Sequence, residues 1–457
     1  MKNFLKSWTV RTARRGLNST RKVALSFALI ILTGTLLLML PVMSHSGQSA
    51  GPLTALFTAT SATCVTGLAV VDTVSQWTLG GQIVILLLIQ LGGLGFMTAY
   101  SLLLMTFQRK IGLSQRMMIA STFSLNSMDG VVRLVRHALL GTFLFEGGGA
   151  ALLAIRFIPE FGLWKGLWYS VFHAVSAFCN AGFDLMGVRG DASSLMIFSH
   201  DPFVLMVHVV LIVIGGLGFF VWEDIYRHRR FRKLSLYSRL VLVCTGLLIM
   251  GGWIYFLLVE SGNPMTFGKM GGMDKIWNTL LQSVTLRTAG FSSINQGGLR
   301  DSSLVICILF MLIGGSSGST AGGIKTVTAA VLVLALRTGL RGQEDVTVGG
   351  RTIPHRQVID AMTLALTVML IFIISSMAIS LIEGTRYLPI AYEVASAMGT
   401  VGLTTGLTPG LASESKLILI ALMYMGRVGI LSFSLAFLTK RGFVSKVKYP
   451  TVDVIIG

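Results

Sequence analysis

The residues of this chain best suited to chemistry would work through their backbone. Four short stretches align on a glycine. FTATSATCVTGL runs from Phe57 to Leu68 around Gly67, and FHAVSAFCNAGF from Phe172 to Phe183 around Gly182. LLQSVTLRTAGF runs from Leu280 to Phe291 around Gly290, and YEVASAMGTVGL from Tyr392 to Leu403 around Gly402. These glycines lie 115, 108 and 112 residues apart. A bulky apolar residue (Phe57, Phe172, Leu280 or Tyr392) stands ten residues before each, and Ser61, Ser176 and Ser396 stand six before three of them. The candidate ligands are Val65, Thr66 and Gly67; Asn180, Ala181 and Gly182; Thr288, Ala289 and Gly290; and Thr400, Val401 and Gly402. All are small or modest in size and uncharged. Such segments can aim carbonyl oxygens at a cation and replace its water shell. Glycine admits the left-handed or extended backbone this requires.

A second motif follows each stretch: LGGLGF at Leu91–Phe96, IGGLGF at Ile214–Phe219, IGGSSG at Ile313–Gly318 and MGRVGI at Met425–Ile430. In the third copy it extends to GGSSGSTAGG, namely Gly314, Gly315, Ser316, Ser317, Gly318, Ser319, Thr320, Ala321, Gly322 and Gly323. Each glycine costs a helix about 1 kcal/mol relative to alanine, so a break is expected here in the third repeat. The reading is a mobile gate loop beneath the glycine ring; the alternative is close helix packing through small residues. Arg427 occupies the slot held elsewhere by Gly93, Gly216 and Gly315. An arginine inside a spanning helix is costly and faces a cavity or a partner. It is expected to bond loop carbonyls or hydroxyls and to set a barrier to cations, with snorkelling to an interface as the alternative. Arg287 is expected to point away from the path, with Glu393 as its candidate partner. Glu146 and Glu260 are expected to find partners within the bundle, Asp360 to cap a helix, and Lys325 to mark the inner end of the loop.

The composition says what must position these residues. The chain has 457 residues, 53% hydrophobic and 12% charged, with a formal net charge of +18 and 52 glycines. An apolar, basic chain of this kind fits a polytopic membrane protein with basic inner loops. A bilayer core takes about 20 apolar residues per helix. Eight runs qualify, at 23–43, 80–106, 134–158, 202–222, 237–259, 302–336, 358–382 and 416–438. Four apolar stretches are too short to span: 52–62, 167–178, 276–286 and 388–398. Lys and Arg concentrate in 1–22, 107–136, 227–239, 337–356 and 440–448, so both termini are predicted cytoplasmic. Arg227–Lys233 then reads as a topology anchor, and no nucleic-acid partner is expected.

The fold class predicted is an all-α membrane protein of four tandem M-P-M (helix, pore helix, helix) repeats. Its eight transmembrane helices would stand in pseudo-fourfold arrangement around a central pore. Residues 1–22 form a basic cytoplasmic head. The repeats span 23–106, 134–227, 237–338 (with the gate loop 314–323) and 358–438, and 439–457 is a cytoplasmic tail. Two crossings per repeat give all four one orientation, unlike inverted-repeat carriers. The chain lacks GxxxxGK[ST] and HExxH motifs, and Cys64, Cys179, Cys244 and Cys307 form no CxxC. No enzyme and no resident metal or organic cofactor is expected.

SATCVTGL, SAFCNAGFD, LRTAGF and MGTVGLT together resemble the filter signatures of the Trk/Ktr/HKT superfamily of potassium transporters. The resemblance covers nearly the whole chain and is strongest to the membrane subunit of a bacterial Ktr system. It implies K⁺ uptake through the four glycine-centred loops, with glycine at all four positions favouring K⁺ over Na⁺. It also implies an intramembrane gate loop faced by a pore arginine, and a Na⁺ effect on transport. The implied setting is the bacterial cell membrane. The implied partners are a second copy, in a homodimer, and a cytosolic RCK-type (KtrA-like) ring that binds ATP or ADP. A tail at Val452–Ile456 could pack at the dimer interface. The alternatives are a less selective Na⁺/NH₄⁺ channel and a secondary carrier.

Overall fold

The structure is a computed structural model that describes residues 19–95, 131–187 and 194–429. The basic head up to residue 18, the stretches 96–130 and 188–193, and everything from residue 430, including the tail, lie outside the described residues. The protein is mostly helical. In the first quarter α1 (Ser19–Leu38), α2 (Pro52–Thr63) and α3 (Leu79–Leu94) pack on one another. Pro52 sits at the first turn of α2, where a missing N–H costs nothing. In the second quarter α4 (Val131–Phe161) turns at Gly162 into α5 (Leu163–Phe178). A Cβ on Gly166 would lie 2.6 Å from the Ile158 Cα, so glycine lets the two helices meet at this corner. Next come α6 (Pro202–Leu217), capped by the Asp201 carboxylate, and α7 (Phe219–His228).

The third quarter holds α8 (Leu236–Val259), α9 (Gly272–Thr285), α10 (Asp301–Leu312) and α11 (Thr326–Leu340). A two-residue antiparallel pair follows, β1 (Thr347–Val348) with β2 (Arg351–Thr352), an element the helical reading lacked. The fourth quarter holds α12 (His355–Glu383), α13 (Tyr387–Gly399) and α14 (Ser413–Val428). Because α12 begins at His355 after Pro354, Asp360 lies in its second turn and is not a cap, contrary to expectation.

Among the described residues, three helical stretches are long and apolar enough to cross a membrane: Val135–Phe161, Leu236–Val259 and His355–Glu383. The pair α6 and α7 makes a fourth, bent by 92°. They carry exposed apolar rows, such as Leu247 and Leu258 on α8 and Leu366, Ile374 and Leu381 on α12, which suit a lipid solvent. Several apolar helices end at glycines. α3 ends at Gly95 (φ 78°), α6 at Gly218 (φ 89°) and α14 at Gly429 (φ 93°). A break was expected only in the third repeat; the described residues end a helix at the same motif in all four.

Candidate functional site

Each of the four short helices α2, α5, α9 and α13 runs into a turn of one conformation. Val65, Asn180, Thr288 and Thr400 have φ of 57°, 59°, 69° and 53°, and the glycines two residues later have φ of 93°, 67°, 80° and 95°. The residue between has negative φ in every case. Alternating signs aim successive carbonyls toward one side, and a β-branched or bulky residue enters the left-handed region only under tertiary constraint. Part of that constraint is a set of serine clamps. The Gly67 and Gly402 N–H groups donate to the Ser61 and Ser396 hydroxyls at 3.1 and 3.0 Å. Ser176 instead donates to the Phe183 carbonyl at 2.7 Å. Val284 holds that register in the third repeat and has no hydroxyl.

The four turns close a ring in chain order. A Cβ on Gly67 would strike the Ala181 carbonyl, and one on Gly182 would lie 2.8 Å from that of Ala289. One on Gly290 would lie 2.6 Å from the Val401 carbonyl, and one on Gly402 would strike that of Thr66. All twelve candidate ligand residues are therefore brought together. The carbonyl ends of four helices converge on the same ring, and their dipoles favour a cation there. The second motif explains its own first glycine. Gly92, Gly215 and Gly426 press against the last-turn carbonyls of Thr63, Phe178 and Met398, where no side chain fits.

Gly314–Gly323 forms a non-helical loop between α10 and α11. It is tied to the break between α6 and α7: Ser316 N–H donates to the Gly216 carbonyl at 3.2 Å, and Phe219 N–H to that of Gly318 at 3.1 Å. The Ser316 hydroxyl bonds the Leu217 carbonyl, Thr320 Oγ1 donates to the Phe178 carbonyl at 3.3 Å, and Tyr237 Oη to that of Ser317 at 3.0 Å. The missing Cβ of Gly322 would meet the Thr400 side chain, so the loop touches the helix-side end of the fourth turn. Arg427 donates to the loop carbonyl of Thr320 and to those of Gly92 and, at 3.1 Å, Gly93. Lys325 lies at the start of α11 and donates to the Ala321 carbonyl at 2.8 Å.

Arg287 is buried and turned toward α11, where it donates to Thr326 Oγ1 at 3.3 Å. Glu393 is not its partner: that carboxylate accepts from Thr404, Thr405 and Thr408 in the turn after Gly402. Glu146 accepts from Gln90 at 3.1 Å, and Glu260 from Asn263, Thr266, Ser303 and the Arg300 amide. The Tyr237 contact, the docking of the loop at Gly218 and the threonine partners of Glu393 were not announced by the motifs. The threonine run at 404–408, facing a lone acid one short helix earlier, was the signal for Glu393.

A family profile described as a cation transport protein (TrkH) matches residues 5–446. The chain is 41% identical to the potassium/sodium uptake protein NtpJ of Enterococcus hirae, over 98% of this chain and 99% of that one. It is 40% identical to the Ktr system potassium uptake protein B of Bacillus subtilis, over 95% of this chain and 96% of that one. A protein of the latter description from Vibrio alginolyticus is 37% identical, over 96% of this chain and 94% of that one. In fold the chain is similar to the crystal structure of the potassium transporter TrkH from Vibrio parahaemolyticus. The TM-score is 0.70 at 18% identity, over 91% of this chain and 83% of that chain. A family match over nearly the whole length, with relatives this similar, shows that the chain belongs to the Trk/Ktr family of cation transport proteins.

Proposed function

We propose that this chain is the ion-translocating membrane subunit of a potassium uptake system. Four M-P-M repeats supply eight spanning helices in pseudo-fourfold order, and the ring of Gly67, Gly182, Gly290 and Gly402 is its filter. The observation that carries this reading is ring closure: each filter glycine lies against the carbonyl before the next. A cation in hydrocarbon costs tens of kcal/mol without compensation; a ring of preset carbonyls supplies the compensation. The loop Gly314–Gly323 is the gate, held under the filter by Arg427. Both termini lie in the cytoplasm of a bacterial cell, and a second copy and a cytosolic nucleotide-binding ring complete the system.

The test is ⁸⁶Rb⁺ uptake into liposomes by wild type, Gly67→Ser and Gly290→Ser. A side chain at Gly67 meets both a φ of 93° and the Ala181 carbonyl. The expected result is Rb⁺ flux selective against Na⁺ in wild type and loss of that selectivity in both variants. Flux indifferent to both means that ions travel elsewhere. The name of the Enterococcus relative, a potassium/sodium uptake protein, favours a second reading with weaker discrimination or Na⁺ stimulation. It predicts Na⁺ entry, or Na⁺-enhanced Rb⁺ entry, through the wild-type protein.

A further inference from the structure

Two side chains at one register of two different short helices hold the backbone beyond the ring. Glu393 stands nine residues before Gly402, and His173 stands nine before Gly182. Glu393 accepts the Thr405 N–H at 2.7 Å, three residues after its glycine. His173 Nε2 accepts the Leu185 N–H at 3.1 Å, also three residues after its glycine. The equivalent residues Thr58 and Leu281 have no such bond among the described residues. Chain-order closure sets the second and fourth turns opposite each other, so the two clamps face across the ring.

The clamps are built with different chemistry to one end. Glu393, 1% exposed, also accepts from the hydroxyls of Thr404 at 2.8 Å, Thr405 at 2.9 Å and Thr408. Four donors gather one short turn onto one carboxylate. Thr405 in turn leans on the third quarter: a Cβ on Gly297 would lie 2.9 Å from its carbonyl, and Tyr392 donates to Gln296 at 2.9 Å. His173 works through a fixed proton order. His208 Nδ1 lies 2.8 Å from the Val204 carbonyl, which can only accept, so His208 Nε2 is free to accept from His173 Nδ1 at 3.3 Å. That leaves His173 Nε2 as the acceptor Leu185 requires. Phe157 and Phe291 pack against His173.

Resting on the filter reading above, we propose that Glu393 and His173 are paired positioning residues that fix the width of the carbonyl ring and so set discrimination between K⁺ and Na⁺. A ring tuned to one ion radius loses specificity when two opposite walls can relax. The experiment measures Rb⁺ uptake and its competition by Na⁺ in liposomes for wild type, Glu393→Gln, His173→Phe and the double variant, with Gly67→Ser as reference. Each single variant is expected to keep flux while its selectivity falls by about tenfold, as for a lost charge-assisted or buried hydrogen bond, and the double variant to fall further. Thr408→Val removes a single donor and carries the same expectation, smaller in size, should Glu393→Gln not fold. Unchanged selectivity in the folded variants, with Gly67→Ser still defective, overturns the clamp alone. Unchanged selectivity in Gly67→Ser as well overturns the filter reading, and the clamp falls with it.

Discussion

At the scale of single residues, Arg427 has the most explicit geometry. Its guanidinium reaches carbonyls on two different parts of the chain, Thr320 in the loop and Gly92 and Gly93 at the end of α3. A planar fork with five donors can bridge acceptors in this way; an ammonium is a single point. Arg427→Ala is expected to raise basal Rb⁺ flux in liposomes several-fold, and Arg427→Lys to restore little of the closure. Asp184, two residues after Gly182 and outside the spanning helices, adds a second test. Burial pushes its carboxyl up to about 6, the Met186 amide opposes that shift, and Asp72 adds to it. The group is anionic above that pH and neutral below it. Uptake from low external K⁺ should therefore weaken as external pH falls through about 6, and Asp184→Asn should flatten the profile. The slot and unusual charge of Arg427 were legible in the sequence. The partner of Glu393 was not, because a carboxylate bonded by hydroxyls leaves no charge pattern to read.

At the scale of elements, hydropathy located the short helices closely: 52–62 became Pro52–Thr63 and 388–398 became Tyr387–Gly399. The second and third begin about a turn earlier, at Leu163 and Gly272, because Lys165 and Asp274 sit in their first turns and dilute the apolar signal. Runs such as 202–222 looked continuous because glycine is neutral to hydropathy while breaking a helix. The break matters for the proposed gate, since Gly218 is where the loop docks. A Cβ there would lie 2.5 Å from Ser316 Oγ and 3.1 Å from the Ser317 carbonyl, at a φ of 89°. The φ adds strain of about 1–3 kcal/mol, and the clash with Ser316 and Ser317 would be relieved by displacing the loop. Gly218→Ala is expected to raise basal flux without altering the Rb⁺/Na⁺ ratio, which separates a gate defect from a filter defect.

At the scale of the whole molecule, the loop Gly314–Gly323, the proposed gate, belongs to the third quarter in sequence but is held by the other three. The second holds it at Gly215–Phe219, the fourth through Arg427 and Thr400, and the first through the Gly92 and Gly93 carbonyls that Arg427 also binds. Its route toward the basic segment 227–239 runs through the corner between α7 and α8. Asp224 there accepts from the Ser235 amide at 2.9 Å and its hydroxyl at 2.8 Å, joining the two helices. Two residues on, Tyr237 donates to the Ser317 carbonyl at 3.0 Å. A cytosolic ring pulling on this corner would therefore pull on the loop. Tyr237→Phe removes that one bond and leaves the ring of the side chain in place. A hydrogen bond of this kind contributes about 0.5–1.5 kcal/mol, so the closed state should weaken by roughly two- to tenfold in population. Basal Rb⁺ flux of the purified chain should rise by that factor, and the extra activation on adding a nucleotide-loaded partner ring should shrink. A Tyr237→Phe protein with wild-type basal flux and full activation would mean that force from the inner face reaches the loop by another path, or that the loop does not close the pore.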